Sequence, residues 1–210
     1  MDSLNLVDFA RTLIDIDSTT GREGAVADVL ADRLSALGYI VERQPLAGGR
    51  ANVYARLDSP VVTFSTHFDC VPDFFPSRIA QGRLYGRGSS DAKGILAAQV
   101  VAAERLRAAG ERRIGLLFVA GEERGSDGAM AANALAPSTA RYLINGEPTE
   151  NVLGAATRGV YRVKLTAHGR AAHSSRPDLG ASAIEKLIDV LVDMRAADWP
   201  EDARLGRTHY

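Results

Sequence analysis

Six ionisable residues stand at or just beyond the ends of apolar or glycine-rich runs. The stretch "VVTFST" (61–66) leads into His67 and Asp69, "IGLLFVA" (114–120) leads into Glu122 and Glu123, and "RYLI" (141–144) is followed by Glu147. Asp91 lies in "LYGRGSSDAKG" (84–94), immediately before a helical pattern that starts at Lys93. If the apolar runs are strands of one open α/β sheet, their carboxyl ends border a single crevice, where such sheets bind ligands. Several carboxylates cannot share a partly desolvated crevice unaided, because each raises the pKa of its neighbours until some protonate; a divalent cation removes that conflict. Imidazole nitrogen together with carboxylate oxygen suits zinc, admits manganese or cobalt, and suits calcium poorly.

Each residue also has a plainer reading. Asp91 could be only the N-cap of the following helix. His67 could be a hydrogen-bonded core histidine, and Glu122 and Glu123 could simply favour a helix N-terminus through its dipole. The combination separates the two sets of readings. His67-x-Asp69 supplies a ligand histidine with a carboxylate near enough to orient its ring, a pairing that metal sites use. A phosphate loop fits worse: G-x-x-x-x-G-K-[ST] is absent, and Asp91 occupies the third-glycine place of G-x-G-x-x-G, where it would repel a pyrophosphate.

The elements that must carry these residues alternate between helical and strand patterns. Leu4 to Ile16 and Glu23 to Leu37 have helical apolar spacing, and Gly38 is placed to end the second helix. Strand patterns follow at 39–42, 52–57, 61–66, 114–120 and 141–144, with an Ala-rich helix from Lys93 to Ala109 between them. This alternation predicts an α/β domain of three layers, with a mixed, mostly parallel central sheet and helices on both faces. After Gly154 the pattern changes to a strand in "YRVKLTAHG" (161–169) and an amphipathic helix from Ala181 to Met194, the start of a smaller α+β unit. The boundary is placed near 157, giving a metal-binding domain over 1–157 and a partial second domain over 158–210.

Composition narrows the classes of partner. The 210 residues, 46% hydrophobic, are enough for one domain and part of another. A formal net charge of -1 with interspersed signs carries no footprint for nucleic acid or an anionic membrane. No apolar run approaches membrane-spanning length, and no internal repeat is visible. Cys70 is the single cysteine, so no internal disulfide forms, and "MDSLNLVDFA" has acids where a signal peptide needs a basic start; the expectation is a cytoplasmic protein.

In order along the chain, "HFDCVP", "GRGSSDAKG", "GEERGSDG" and "GEPT" resemble the M20 metallopeptidases, which include acetylornithine deacetylase, succinyl-diaminopimelate desuccinylase, aminoacylase and carboxypeptidase G2. The resemblance implies an amide hydrolase, an exopeptidase or N-acyl-amino-acid deacylase, with two zinc ions and a water that bridges them. It implies that His67 and Glu147 hold one ion, Asp91 bridges both, and Glu123 binds the other. Asp69 would brace His67, and Glu122 would be the general base that takes a proton from the water and returns it to the leaving amine. The segment "HGRAAHSSRPDLGASAI" (168–184) is similar to the family's lid, or dimerisation, domain. His173 is then the residue expected to reach the active site of a partner subunit in a homodimer and to stabilise the developing oxyanion. Arg158, Arg176 and Asn145 are left without a role.

Two features depart from the family pattern. The chain stops at "LGRTHY", before the remainder of the lid and the last ligand histidine, so the resemblance implies a fragment that holds its second cation weakly and has little activity alone. The connection between "HFDCVP" and "RLYGRG" is short, and Cys70 stands where threonine is common. Two other classes remain beside the metal hydrolase. One is a metal-binding or dimerisation module without turnover. The other is a cysteine hydrolase using Cys70 and His67, disfavoured because no oxyanion donor is apparent.

Overall fold

The computed structural model describes residues 4–134 and 140–209. Met1–Ser3 and Tyr210, the ends of two stretches quoted above, lie outside the described residues. Contacts divide the chain into two compact units, Met1–Asn151 and Val152–Tyr210, and each is described by itself.

The first unit begins with α1 (Leu6–Ile14) and α2 (Gly24–Ala36). The side chain of Asn5 caps α1 by accepting from the Val7 and Asp8 amides. Gly38 ends α2 as its position predicts: its φ is +88°, its N–H donates to Ser35 O, and Tyr39 N–H donates to Leu34 O, the paired bonds of a Schellman motif. Next come β1 (Ile40–Leu46), β2 (Arg50–Arg56) and β3 (Val62–His67). A small hairpin of β4 (Arg78–Ala80) and β5 (Arg83–Tyr85) precedes α3 (Lys93–Ala108). The unit closes with β6 (Ile114–Val119), α4 (Asp127–Asn133) and β7 (Tyr142–Asn145).

The main sheet has the order β1-β2-β6-β3-β7. β3 is parallel to both β6 and β7, whereas β2 is antiparallel to both β1 and β6. Four strands therefore point one way and β2 alone is reversed, a mixed and mostly parallel sheet. Side chains alternate between the faces of a strand, and β2 shows what lies on each. Val53 and Ala55 pack in the fully buried core with Val26, Leu30 and Leu34 of α2. Asn52 points the other way, and its amide donates to Gly128 O of α4. Helices thus cover both faces. Leu116 and Phe118 of β6 are fully buried and Val119 nearly so, because β6 is central and covered on both sides; this is why its sequence is uninterruptedly apolar.

The second unit contains α5 (Ala183–Ala196), capped by Ser182, and a two-residue ladder of β8 (Glu201–Asp202) with β9 (Gly206–Arg207). The strand expected in the second unit is not present. No strand forms at 161–169, where Tyr161, Val163 and Leu165 are exposed. A strand requires a neighbour for its N–H and C=O groups, and among the described residues none pairs with this stretch. The periodicity supplies one face of a strand and cannot supply the partner. No helix among the described residues is long and apolar enough to cross a membrane.

Candidate metal centre

Sheet register brings the ionisable residues to one place. His67, the last residue of β3, pairs with Val119, the last of β6, and Phe68 N–H donates to Val119 O at 3.1 Å. Glu122 and Glu123 therefore leave β6 level with the exit of β3. On the other side Ser65 pairs with Asn145, Gly146 N–H donates to Ser65 O at 2.7 Å, and the Thr66 hydroxyl donates to Gly146 O at 2.7 Å. Glu147 is thereby fixed beside His67.

His67 is buried, and its two ring nitrogens have different surroundings. Nδ1 lies 3.1 Å from the backbone oxygen of Asp69, which can only accept, so Nδ1 carries a proton. Nε2 faces carboxylates: Asp91 Oδ1 at 2.9 Å, Glu147 Oε2 at 3.8 Å and Glu122 Oε2 at 4.0 Å. Burial acts to lower the imidazole pKa, but hydrogen bonding to the Asp69 carboxylate and the charges of Asp69, Glu147 and Asp91 outweigh it and hold it at about 9. Glu123 and Glu147 are both pushed above the ordinary carboxylate range, first by burial; nearby carboxylates, Asp91 and Glu122 among them, add to this and His67 opposes it. Too many negative charges thus surround one neutralising proton. A divalent cation in the place of the Nε2 proton would satisfy these groups together, and the donor set fits one. Ligand atoms of His67, Asp91 and Glu123 all lie within 4.8 Å of one another. Glu147 approaches the same imidazole from the β7 side.

Asp69 is fully buried, yet its carboxyl is held below the usual range. Burial alone would raise it. The neighbouring His67, the amides of Glu122 and Glu123 and the Thr20 hydroxyl together reverse that effect. The distances are 2.9 Å from Glu122 N to Oδ1, 3.1 Å from Glu123 N to Oδ2 and 2.8 Å from Thr20 Oγ1 to Oδ2. Asp69 therefore does more than face His67: it holds the backbone of both glutamates. Thr20, in the α1–α2 connection, escaped the sequence reading because nothing in its spacing links it to a residue 49 positions away.

Asp91 is not the N-cap of α3. That position belongs to Ala92, where no side chain caps the helix, and the Asp91 carboxylate turns to His67 instead. Lys93, the first residue of α3, is buried, its ammonium donating to Ile16 O at 2.7 Å, which anchors the helix start behind Asp91. Cys70 is buried, and burial pushes its thiol pKa up, so it is poorly suited to act as a nucleophile. His173 belongs to the second unit. There Nδ1 accepts the Ser175 amide at 3.2 Å, which places the proton of the neutral ring on Nε2. Arg176 is paired with Asp178 at 2.7 Å, and the Asn145 amide lies 3.5 Å from Glu147 Oε1.

The Peptidase family M20/M25/M40 profile matches residues 63–204. A peptidase M20 domain-containing protein of Schizosaccharomyces pombe is 38% identical over 211 residues, covering 96% of this chain and 53% of its own length. A probable carboxypeptidase of Aspergillus clavatus is 37% identical over 232 residues, covering 97% of this chain and 51% of its own. The chain thus spans about half the length of the curated relatives it matches. Among solved structures, a Staphylococcus aureus tripeptidase superposes with a TM-score of 0.68 at 21% identity, over 91% of this chain and 56% of that one. The Bacillus cereus aminopeptidase PepT gives a TM-score of 0.63 at 20% identity, over 97% of this chain and 59% of its own. At these identities the two structures establish the fold alone. The family profile and the two sequence relatives establish the rest: this chain belongs to peptidase family M20/M25/M40.

Proposed function

We propose that this chain carries the metal-binding catalytic residues of a zinc-dependent amide hydrolase acting on short peptides or N-acyl amino acids. Carboxypeptidase action is the first form to test, because the Aspergillus clavatus relative bears that name; deacetylase action is the second. The observation that carries the reading is the surroundings of His67 Nε2, which faces three carboxylates while Nδ1 is held by the Asp69 backbone. His67 and Glu147 would hold one cation, Glu123 a second, and Asp91 both. Bound divalent cations would polarise the scissile carbonyl and acidify the attacking water.

The remaining work falls to the side chains. Glu122 takes the proton of the water as its oxygen adds to the carbonyl carbon, then delivers that proton to the nitrogen as the C–N bond breaks. Asp69 keeps Glu122 and Glu123 at adjacent but different posts by binding both amides. His173, whose Nδ1 accepts the Ser175 amide, is the donor proposed for the developing oxyanion, supplied by a partner subunit through a lid over 158–210 that follows a catalytic domain over 1–157.

The test is a screen of dipeptides, C-terminally varied tripeptides and N-acetyl amino acids with the intact protein, before and after dialysis against a chelator. Hydrolysis that disappears on chelation and returns with zinc or cobalt is expected. Undiminished turnover after verified metal removal would overturn the proposal, and thiol alkylation that abolished turnover would point to Cys70 instead.

A further inference from the structure

Behind the glutamates lies a set of charges that the reaction does not use. Gly121 to Ser126 form a closed turn, with Ser126 N–H donating to Gly121 O at 2.8 Å and Gly128 N–H donating to Ala120 O at 3.2 Å. Asp127 follows, and both of its oxygens face the guanidinium of Arg50: Nη2 is 2.5 Å from Oδ2 and Nη1 is 3.3 Å from Oδ1. The same Nη1 lies 3.4 Å from Oε1 of Glu23, which is fully buried. Glu23 Oε2 accepts the Gly21 amide at 2.7 Å, and the adjacent Thr20 hydroxyl donates to Asp69. Asp69 accepts the amides of Glu122 and Glu123, which returns the path to the turn.

The path is a closed ring: turn, Asp127, Arg50, Glu23, the Thr20–Gly21 loop, Asp69, and the turn again. Packing at Gly121 is tight. A Cβ there would fall 1.9 Å from Asp127 Oδ1 and 3.0 Å from Arg50 Nη1, so the ion pair sits directly against the residue before Glu122. The planar guanidinium suits this place, since it can engage both Asp127 oxygens and reach Glu23 with one fork, which an ammonium cannot.

We infer that Arg50, acting with Glu23 and Asp127, is the positioning residue for the Glu122–Glu123 turn and sets how well Glu123 meets His67 and Asp91. The inference rests on the proposed cation site and concerns the residues that hold its ligands in place. Partners outside the ligand set govern ligand orientation, and their loss in metal sites costs about 10-fold to 100-fold in affinity.

The test compares Arg50→Lys and Asp127→Asn with the unaltered chain by calorimetric titration with cobalt(II) and by amide hydrogen exchange without metal. Asp127→Asn preserves shape and decides the matter if Arg50→Lys does not fold. The expected result is cobalt affinity lowered by about 10-fold or more, with exchange at the Glu122 and Glu123 amides accelerated while Leu116 and Phe118 in the sheet remain protected. Unchanged affinity and unchanged exchange in both variants would overturn the inference and leave the cation site standing. Uniform acceleration through the sheet would also overturn it, since the ring would then serve general stability only. If the unaltered chain bound no cobalt, the site itself would be refuted and the inference with it.

Discussion

Replacing Asp69 with Asn tests the foundation of the site without removing a proposed metal ligand. The Asp69 carboxylate is fully buried and accepts from the Glu122 amide, the Glu123 amide and the Thr20 hydroxyl while facing the His67 ring at 3.4 Å. Asn keeps the shape but has one acceptor oxygen, so its NH2 must confront at least one of those donors. Charge-assisted bonds are worth about 1.5–3 kcal/mol each, and a buried donor left unmatched costs about 1–3 kcal/mol more, so a loss of roughly 3–5 kcal/mol is expected. For a chain of this length that corresponds to a fall in Tm of roughly 6–20 °C. Differential scanning calorimetry in excess chelator measures it free of any contribution from bound metal. The pH dependence adds a second check. The folded-state pKa of Asp69 is depressed, so its contribution is present above the unfolded value of about 3.9 and is lost as pH falls through the folded value. The gap between the two proteins should be full at pH 7 and narrow below about pH 4. A fall in Tm under about 2 °C at pH 7 would refute the reasoning, because it would mean that those bonds carry little of the turn's stability.

Glu122→Gln should leave metal content nearly unchanged while lowering turnover by on the order of 100-fold or more, whereas Glu123→Gln should lose metal; emission spectrometry showing the opposite pattern would reverse the two roles. His173→Ala should lower turnover at unchanged metal stoichiometry, and heterodimers of His173→Ala with Glu122→Gln should regain activity if the histidine acts across a subunit interface; verified heterodimers without activity would exclude that arrangement. Gly128→Ala would place a Cβ 2.1 Å from Ala120 O and 2.6 Å from Asn52 Oδ1, so it should destabilise the protein by about 1–3 kcal/mol in urea titrations, and an unchanged midpoint would contradict this packing. Cys70, buried with a raised pKa, should resist iodoacetamide at pH 7 in the folded chain and react fully in denaturant; rapid labelling of the native protein would show that the site is open at that point.

The parts of this structure that sequence could disclose are those governed by periodicity. The uninterrupted apolar run at 114–120 and the helical spacing at 23–37 marked β6 and α2, and Gly38 marked the end of α2, because one backbone requirement acts at one position. The ionisable residues at the strand ends were visible for the same reason, since parallel neighbours finish together. Asp91 shows the limit. An aspartate one residue before a helix reads locally as a cap, and only the turn through 86–91 carries its carboxylate to His67 instead. Thr20, Glu23 and Arg50 reach the site through contacts that span from 27 to 77 residues, and no local pattern encodes such pairings. The strand expected at 161–169 failed because alternation describes a face while pairing requires a partner.

Whether a divalent cation binds between His67, Asp91 and the glutamates at these strand ends can be read from anomalous diffraction. Crystals grown with zinc and measured on both sides of its absorption edge should give a difference peak within bonding distance of His67 Nε2 and of an Asp91 oxygen, with Glu123 or Glu147 completing the contacts. A peak confined to other side chains, or none at this place in crystals shown to contain zinc, would contradict the account.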